Sequence, residues 1–229
     1  MKTNIKFSNC FKGLAIALVV LTSLSSCSSD DTELNAEAYV RVVNASEGSA
    51  PQDFYLDNTK LNSSAVAYMQ NSAYLTTTNG NKVGSFKTSG STTVNSSANL
   101  SIDGGKYYTV YYTGEASGSA GFTATVDEQV KASANKAKVR FVHLSSAAAN
   151  KIDLAIQGGA KIVSNLAYKS ASAYQEVDAA TNFQLFAAGS TTGGISIPAL
   201  TLQVGKVYTV YISGSTIATL KYNILVDKG

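Results

Sequence analysis

The chain has 229 residues, with 18 lysines and arginines, 15 aspartates and glutamates, and two cysteines. Three of the lysines lie within residues 1–26, which contain no acidic side chain, so the remaining residues hold 15 basic and 15 acidic side chains. A neutral chain without a lysine cluster lacks the basic surface that neutralises phosphates, and this excludes the nucleic-acid-binding class.

The chain begins with the pattern of a secretory signal peptide. Lys2, Lys6 and Lys12 precede an apolar run at residues 13–24. That run is shorter than the roughly 20 apolar residues that a membrane-spanning helix needs. A basic start, a short apolar segment and small residues after it are typical of a cleaved signal. We therefore predict a signal peptide at residues 1–26.

Residues 24–27, Leu-Ser-Ser-Cys, resemble the bacterial lipobox. The resemblance implies that the Cys27 thiol is lipidated, that the signal is removed before Cys27, and that the mature chain is anchored in a membrane. An ordinary signal peptide followed by an unrelated cysteine is the alternative. Because Cys10 lies in the signal, the mature chain would have no thiol for a disulfide, a metal site or a nucleophile.

The residues after Cys27 are serines and aspartates, at positions 28–31. They resemble the surface-export signal of Bacteroidota lipoproteins. This implies a lipid-anchored outer-membrane protein that is exposed at the cell surface.

The rest of the chain is a repeat with a period of about 100 residues. The phrase GKYYTVYYTG at residues 105–114 returns as GKVYTVYISG at residues 205–214. Further matched positions are Val40/Val139, Asp53/Asp153, Tyr74/Tyr174, Phe86/Phe186 and Asp127/Asp227. We predict a tether at residues 27–37, a first copy at 38–128, a linker of helix-tolerant composition at 129–136 and a second copy at 137–229.

Each copy has the pattern of short β-strands. Apolar and polar residues alternate with a period of two, and turn signals such as Asn79-Gly80 separate the runs. The pattern predicts an all-β protein of two tandem immunoglobulin-like Greek-key β-sandwiches. The predicted core faces near the end of each copy are Phe122, Ala124 and Val126, and Tyr222, Ile224 and Val226.

Tyr108 and Tyr208 occupy the same place in the two copies of the tyrosine-rich phrase. A leucine and a turn glycine precede each of them. This resembles the tyrosine corner of Greek-key sandwiches, in which the hydroxyl bonds to the backbone a few residues upstream. The alternative interpretation is a row of tyrosines that stacks on sugar rings.

The chain contains two arginines, Arg41 and Arg140, at matching places in the two copies. A lysine cannot reproduce the planar guanidinium fork, so the choice of arginine indicates a specific partner. Strand parity points both side chains away from their own core. We expect bidentate pairs with Asp53 and Asp153, because consecutive strands usually neighbour, and take Asp127 and Asp227 as the second choice. A solvated arginine of little energetic value and a ligand-binding arginine remain alternatives.

An ordered set of motifs resembles a known family. The set consists of V-R-[VF]-V-[NH]-[AL]-S at residues 40–46 and 139–145, an aspartate-containing second strand, an Ala-Tyr followed by another Tyr, and a Gly-x-x-Tyr-Thr-Val strand. It resembles bacterial extracellular proteins grouped as domain-of-unknown-function family 4397. The resemblance implies a β-sandwich on a secreted or surface protein and no established activity. Asn44 replaces the usual histidine, and His143-Leu144-Ser145 lacks the usual proline.

Chemistry-bearing motifs are sparse. His143 is the one histidine, and we interpret it as a turn residue bonding to nearby backbone rather than as a ligand or base. The sequence lacks GxSxG, HExxH, Walker and strand-linked GxGxxG motifs, and its aspartates lack calcium-loop spacing. These observations predict a non-enzymatic protein without cofactor or metal.

The function predicted from sequence is a structural, adhesive or ligand-binding surface lipoprotein. Its expected partners are a membrane, through the lipid, and a protein or glycan at the cell surface. The alternative is a carbohydrate-binding accessory lipoprotein of a glycan-uptake system that uses exposed tyrosines as platforms. The absence of tryptophan disfavours this alternative, and a hydrolase is a more distant one.

Overall fold

The structure is a computed structural model that describes residues 35–114, 120–148 and 151–229. The predicted signal peptide, Cys27 and most of the tether lie outside the described residues. Within those ranges the chain forms sixteen β-strands and two 3₁₀ turns, Ser146–Ala148 and Ile217–Thr219. In chain order the strands are β1 (Glu37–Asn44), β2 (Gln52–Leu56), β3 (Thr59–Lys60), β4 (Asn71–Thr78), β5 (Gly80–Thr88), β6 (Val94–Ile102), β7 (Tyr107–Gly114), β8 (Ala120–Asp127), β9 (Ala137–His143), β10 (Ile152–Ile156), β11 (Lys161–Leu166), β12 (Gln175–Val177), β13 (Phe183–Ala187), β14 (Ile195–Ser196), β15 (Val207–Ser213) and β16 (Lys221–Val226).

The strands form four sheets arranged as two sandwiches, so the predicted all-β fold of two tandem sandwiches is confirmed. The first sandwich pairs the sheets β4-β1-β7-β8 and β3-β2-β5-β6, and the second pairs β12-β9-β15-β16 and β11-β10-β13-β14. The strand order is the same in both. We call β4-β1-β7-β8 and β12-β9-β15-β16 the junction sheets, because their outer faces pack against each other, and the other two the outer sheets.

A parallel pair lies at the centre of each junction sheet. β1 runs parallel to β7, with Val40 opposite Tyr108, and β9 runs parallel to β15, with Val139 opposite Tyr208. The chain then crosses to the outer sheet, so β1 and β2 belong to different layers of the sandwich. Layers of this kind lie about 10 Å apart, so β1 and β2 are not paired neighbours although they are consecutive in the chain.

Each sandwich buries its own apolar core between its two sheets. Because side chains alternate along a strand, Val40 and Val42 enter the first core while Arg41 between them points the other way. Val139 and Phe141 flank Arg140 in the same manner in the second core. Three phenylalanines, Phe54, Phe86 and Phe122, pack at 4.9–5.8 Å between ring centroids in the first core.

The predicted core faces of β8 and β16 are partly wrong. Phe122 and Ala124 pack against the first core, and Tyr222 and Ile224 against the second. Val126 and Val226, however, are 55% and 56% exposed. Both lie near the end of an edge strand, where the side chain reaches past the core into solvent.

The segment that joins the sandwiches forms no helix, despite its helix-tolerant composition. Residues 129–136 run as loop and turn. The Ser133 amide and hydroxyl both donate to Glu176 at 2.8 Å, and the Gln129 side chain donates to the Gly105 carbonyl at 3.1 Å. These bonds hold the segment against both sandwiches.

Tyr108 and Tyr208 have buried rings and hydroxyls that accept hydrogen bonds from backbone five residues upstream. The Asp103 amide donates to the Tyr108 hydroxyl at 2.8 Å, and the Gln203 amide donates to the Tyr208 hydroxyl at 2.9 Å. In each case the intervening turn contains a glycine with positive φ, which side chains rarely tolerate. The bond closes the crossover that brings the chain into β7 or β15.

Replacing Tyr108 with Phe is expected to lower the free energy of unfolding by about 1 kcal/mol, because one backbone-to-hydroxyl bond is lost while the ring still packs. Chemical denaturation measures the change. Tyr55→Phe is the matched control: Tyr55 is half-buried and its ring lies against the Lys87 ammonium at 4.3 Å, a contact that Phe keeps. Equal losses at the two positions would contradict the assignment of a corner bond.

Candidate functional site

The outer faces of the two junction sheets meet in a buried interface, which we call the junction. Its apolar part is a separate cluster that contains Val43, Tyr111, Val142, Tyr211 and Leu225. The rings of Tyr111 and Tyr211 meet across it with centroids 6.1 Å apart and planes at 65°. The faces that each sandwich turns away from its own core are thus covered by the other sandwich.

Arg41 reaches from the first sandwich into the second. Its Nη1 donates to the Val226 carbonyl at 2.9 Å, and its Nη2 donates to Asp227 Oδ1 at 2.5 Å. Its Nε also donates to the Thr109 hydroxyl at 3.0 Å, within its own sandwich. The guanidinium lies 4.6 Å above the Tyr74 ring. The planar guanidinium therefore binds a carbonyl and a carboxylate through two separate nitrogen atoms, an arrangement that the single nitrogen of an ammonium cannot reproduce.

Arg140 makes the reverse crossing. Its Nη1 donates to the Val126 carbonyl at 2.6 Å, and its Nη2 pairs with Asp127 Oδ1. Its Nε donates to the Thr209 hydroxyl at 2.8 Å, and the guanidinium lies 4.8 Å above the Tyr174 ring. Position by position, this repeats the contacts of Arg41 with the roles of the sandwiches exchanged.

Each of the two aspartates also accepts hydrogen bonds from hydroxyl groups of its own sandwich. Asp127 accepts from the hydroxyls of Tyr74 at 2.7 Å and Thr109 at 2.6 Å. Asp227 accepts from Tyr174 at 2.7 Å and Thr209 at 2.5 Å. We call Arg41, Arg140, Asp127 and Asp227, with these four hydroxyl residues, the junction cluster.

The junction cluster is buried and electrically balanced. The four charged residues are 3–4% exposed, and two positive charges face two negative ones. Burial lowers the pKa of Arg41, but Tyr74 and the two aspartates more than offset this, so the pKa lies above its ordinary value. Burial raises the pKa of Tyr74, which keeps its hydroxyl protonated as a donor to Asp127.

Away from the charges, the junction also contains a buried tyrosine whose hydroxyl is engaged. The Asn223 amide donates to the Tyr211 hydroxyl at 2.8 Å. Burial raises the pKa of Tyr211 to about 12. The hydroxyl is thus protonated at physiological pH, and the ring contributes apolar surface to the junction.

The expected pairing of the arginines with Asp53 and Asp153 is wrong. Both arginines do point away from their own core, but that face is buried by the other sandwich instead of facing solvent. The expectation rested on consecutive strands being neighbours, whereas β1 and β2 lie in different layers. The second-choice aspartates are the partners: the short ion pair of each arginine is with the aspartate of the opposite copy, and Arg41 also lies 3.5 Å from Asp127 of its own copy.

Asp53 on β2 and Asp153 on β10 instead form ion pairs with the next strand of their outer sheet. Asp53 pairs with Lys60 on β3 at 2.9 Å. Asp153 pairs with Lys161 on β11 at 2.7 Å and accepts the amides of Asn165 and Gly189 at 2.8 and 2.9 Å. Burial alone would raise the pKa of Asp153, but Lys161 and the two amides outweigh it, and the pKa lies below its usual range.

His143 ends β9 in a fully buried position. Its backbone amide donates to the Ser170 carbonyl at 3.0 Å, and its ring packs edge-on against Tyr168 at 5.7 Å. Asn44, the matching residue, accepts the Ser46 amide at 3.1 Å and donates to the Val66 carbonyl at 3.1 Å. Both residues lie where the first strand of a sandwich gives way to its loop.

A cleft of about 310 Å³ opens where loops of the two sandwiches meet. The Glu47 carboxylate spans it and accepts from the Ser215 amide at 2.7 Å, the Ser215 hydroxyl at 2.6 Å and the Thr219 hydroxyl at 2.8 Å. These bonds, led by that of the Ser215 hydroxyl, lower the pKa of Glu47. The carboxylate therefore holds the two loops together.

Sequence reasoning found the two arginines but missed most of their surroundings. Thr109/Thr209 and Tyr74/Tyr174 are polar and repeat-matched. Thr109 and Tyr74 lie opposite Arg41 on the neighbouring strands, and Thr209 lies opposite Arg140. Polar residues repeated on one face of a strand are the signal that could have pointed to a shared cluster. Glu47 has no counterpart in the second copy, where Ser146 takes its place, so the repeat offered no signal for it.

A family model named DUF4397, described as a domain of unknown function, matches residues 38–155. The chain belongs to the DUF4397 family. The DUF4397 match covers the first sandwich and the connecting segment and runs into β10, so it includes Arg41, Asp127 and Arg140 of the junction cluster. The search for similar curated proteins found no match.

The described residues of this DUF4397 protein contain neither a membrane-spanning helix nor a group of metal-binding side chains. In the part of the chain that the structure describes, no helix has the length and apolar character to cross a bilayer. Across residues 35–114, 120–148 and 151–229, no three His, Cys, Asp or Glu side chains are grouped as a metal site would require.

The Arg41–Asp227 pair is expected to show a coupling energy of about 1.5–3 kcal/mol in a double-mutant cycle of Arg41→Met and Asp227→Asn. Arg41→Met alone is expected to cost about 3–5 kcal/mol, because it leaves a buried carboxylate without its partner. The free energy of unfolding of the four proteins gives both quantities. The matched control cycle combines Arg41→Met with Asp53→Asn, which should be additive within about 0.5 kcal/mol. Equal coupling in the two cycles would contradict the described pairing.

Asp153 is expected to make stability depend on acid pH. Its folded pKa lies below the unfolded value of about 3.9, so its contribution is complete above that value and is lost as pH falls through the folded pKa. The loss of stability between about pH 5 and pH 2 should be smaller in Asp153→Asn. Lys161→Met should shift the loss to higher pH, because the carboxylate loses its cation. An unchanged pH profile in Asp153→Asn would contradict the assignment.

Proposed function

We propose that this protein is a non-enzymatic surface lipoprotein whose two sandwiches form one structural or adhesive module, held at the outer membrane by a lipid on Cys27. The observation that supports the proposal is the set of bonds that the buried charged side chains make. Arg41, Arg140, Asp127 and Asp227 bind one another and nearby hydroxyls across the junction. The burial of these groups fixes the position of one sandwich against the other.

A fixed double sandwich suits a protein that presents a surface. Loops and edge strands of a sandwich are free to vary while the sheets hold them in place. The junction bonds mean that the loops of the first sandwich keep a defined relation to those of the second, as the bridge from Glu47 to Ser215 illustrates. This supports a scaffold or adhesive role over a chain of independently moving domains.

The alternative, a carbohydrate-binding accessory protein, was expected to use exposed tyrosines. All 13 tyrosines lie in described residues, and each is buried or half-buried. The half-buried pair Tyr39 and Tyr107 stacks at 4.5 Å with planes at 16°, and Tyr74 covers the edge of the pair at 4.9 Å from Tyr107. Their ring faces are thus partly occupied by each other, which supports the first proposal over the second.

A glycan array separates the two roles. The Cys27→Ala protein, which should be released from the membrane, is the probe, because it leaves both sandwiches intact. The proposal expects no saturable binding to any immobilised glycan. Saturable binding that is lost in Tyr39→Ala but kept in Tyr55→Ala would replace the proposal with the carbohydrate-binding role.

The anchor is tested by expressing the full chain in a diderm bacterium that processes lipoproteins. The wild type should incorporate labelled palmitate and sediment with the outer membrane. Cys27→Ala should lose the label and leave the membrane pellet, because the proposed lipid anchor cannot be attached. Cys10→Ala, which changes the other cysteine, should behave as the wild type. Membrane retention of Cys27→Ala at the wild-type level would contradict the anchor.

A further inference from the structure

Four pairs of contacts across the junction are exchanged. In each pair, a residue of one sandwich contacts a position of the other, and the matched residue of the second sandwich contacts the matched position of the first. The pairs are Arg41 to Val226 O and Arg140 to Val126 O, Arg41 to Asp227 and Arg140 to Asp127, Tyr68 to Ser213 and Tyr168 to Thr113, and Asn223 to Met69 O and Thr123 to Lys169 O.

Reciprocal contact of this kind defines an isologous interface, the arrangement that two identical subunits adopt about a two-fold axis. Tyr111 and Tyr211, which are matched positions, meet each other directly, as residues near such an axis do. Each junction face therefore carries both halves of these four contacts. It has an arginine donor and an aspartate acceptor, and a tyrosine hydroxyl and the small hydroxyl that this tyrosine meets.

We propose that the junction face of each sandwich is a self-complementary recognition surface, and that its second partner is the same face on another copy of this chain. The inference deepens the adhesive part of the proposed function by naming the partner, and it does not depend on the lipid anchor. Two first sandwiches would place Arg41 of each against Asp127 of the other. The summed charge of the cluster stays at zero, as it is within one chain.

The residues that differ between the faces keep the chemistry of the contacts. Ser213 and Thr113 both offer a hydroxyl to the facing tyrosine. Asn223 and Thr123 both donate to a backbone carbonyl, so replacing Met69 with Lys169 opposite them leaves the acceptor in place. Both of those facing residues also have positive φ, 66° and 61°, so the carbonyl is presented by the same turn. A pair of like faces therefore retains each of the four exchanged contacts.

One contact favours the pairing within a chain. Glu47 binds Ser215 and Thr219 of the second sandwich, and its matched residue is Ser146, which carries no carboxylate. The short connecting segment adds to this preference, because it holds the second face at high effective concentration. Exchange between chains thus requires that the junction open, and the Glu47 contact is one of the bonds that keep it closed.

The experiment uses the full chain with a protease site inserted between Ala134 and Asn135, which lie in an exposed turn of the connecting segment. After cleavage, the two halves differ in mass, and native mass spectrometry distinguishes the three possible pairs. We expect first–first and second–second dimers to appear beside the original first–second pair. The cross-pair would fall towards about half of all dimers if the like and unlike faces pair equally well.

Glu47→Gln in the cleaved protein is the first comparison, and it should raise the share of like pairs towards about half of all dimers, because the contact that favours the unlike pair is weakened. Recovery of only first–second pairs, or of separate halves, in both the wild type and Glu47→Gln would overturn the proposal. These two proteins decide the question without any change to the junction cluster.

A charge-reassigned variant, Arg41→Asp with Asp227→Arg, is the second comparison. It keeps opposite charges across the first–second pair but places like charges across both like pairs. It should therefore form first–second pairs and lose the like pairs. Like pairs at the wild-type level in a folded variant would overturn the role given to the charges. Circular dichroism and a cooperative unfolding transition establish whether the variant folds, and if it does not, the wild type and Glu47→Gln stand as the test.

Discussion

The structure depends on the burial of two guanidinium and two carboxylate groups between two sheets. Removing each charge from water costs several kcal/mol, and the cost is recovered only where the partner and the remaining hydrogen bonds are all in place. Neither sandwich supplies all of these bonds alone: Asp127 accepts from its own tyrosine and threonine and lies 3.5 Å from Arg41, but its short ion pair is with Arg140 of the other copy. The junction is thus the point at which the two folds depend on each other.

Such a cluster is weak support for stability as such, since an apolar junction of similar volume can be as stable. The contribution of the cluster is better understood as fixing the alignment of one sandwich against the other. The arginine fork takes a backbone carbonyl and the next residue's carboxylate together, Val226 and Asp227 for Arg41. A slip of one residue along β16 would turn the carboxylate to the opposite face of the sheet. The apolar cluster around Tyr111 and Leu225 has no such directionality and would tolerate several placements.

Much of the fold was accessible from the sequence, because the period of two and the repeat of about 100 residues both report on backbone geometry. The outward parity of Arg41 and Arg140 followed from their apolar neighbours. The partners did not, because the change of layer between β1 and β2 and the parallel pairing of β1 with β7 leave no local signal. Val126 shows a further limit: its strand has the right alternation, but periodicity does not tell where a core ends.

Comparison of the two copies of the tyrosine-rich phrase shows which of its residues are constrained. Tyr108, Thr109, Val110 and Tyr111 return unchanged as Tyr208, Thr209, Val210 and Tyr211, while Tyr107 becomes Val207 and Tyr112 becomes Ile212. The retained residues alternate between two duties, since Tyr108 and Val110 serve the sandwich core and Thr109 and Tyr111 serve the junction. The exchanged positions keep an apolar side chain but not the tyrosine. One strand therefore carries the corner and core of its own sandwich on one face and the recognition of the other sandwich on the opposite face.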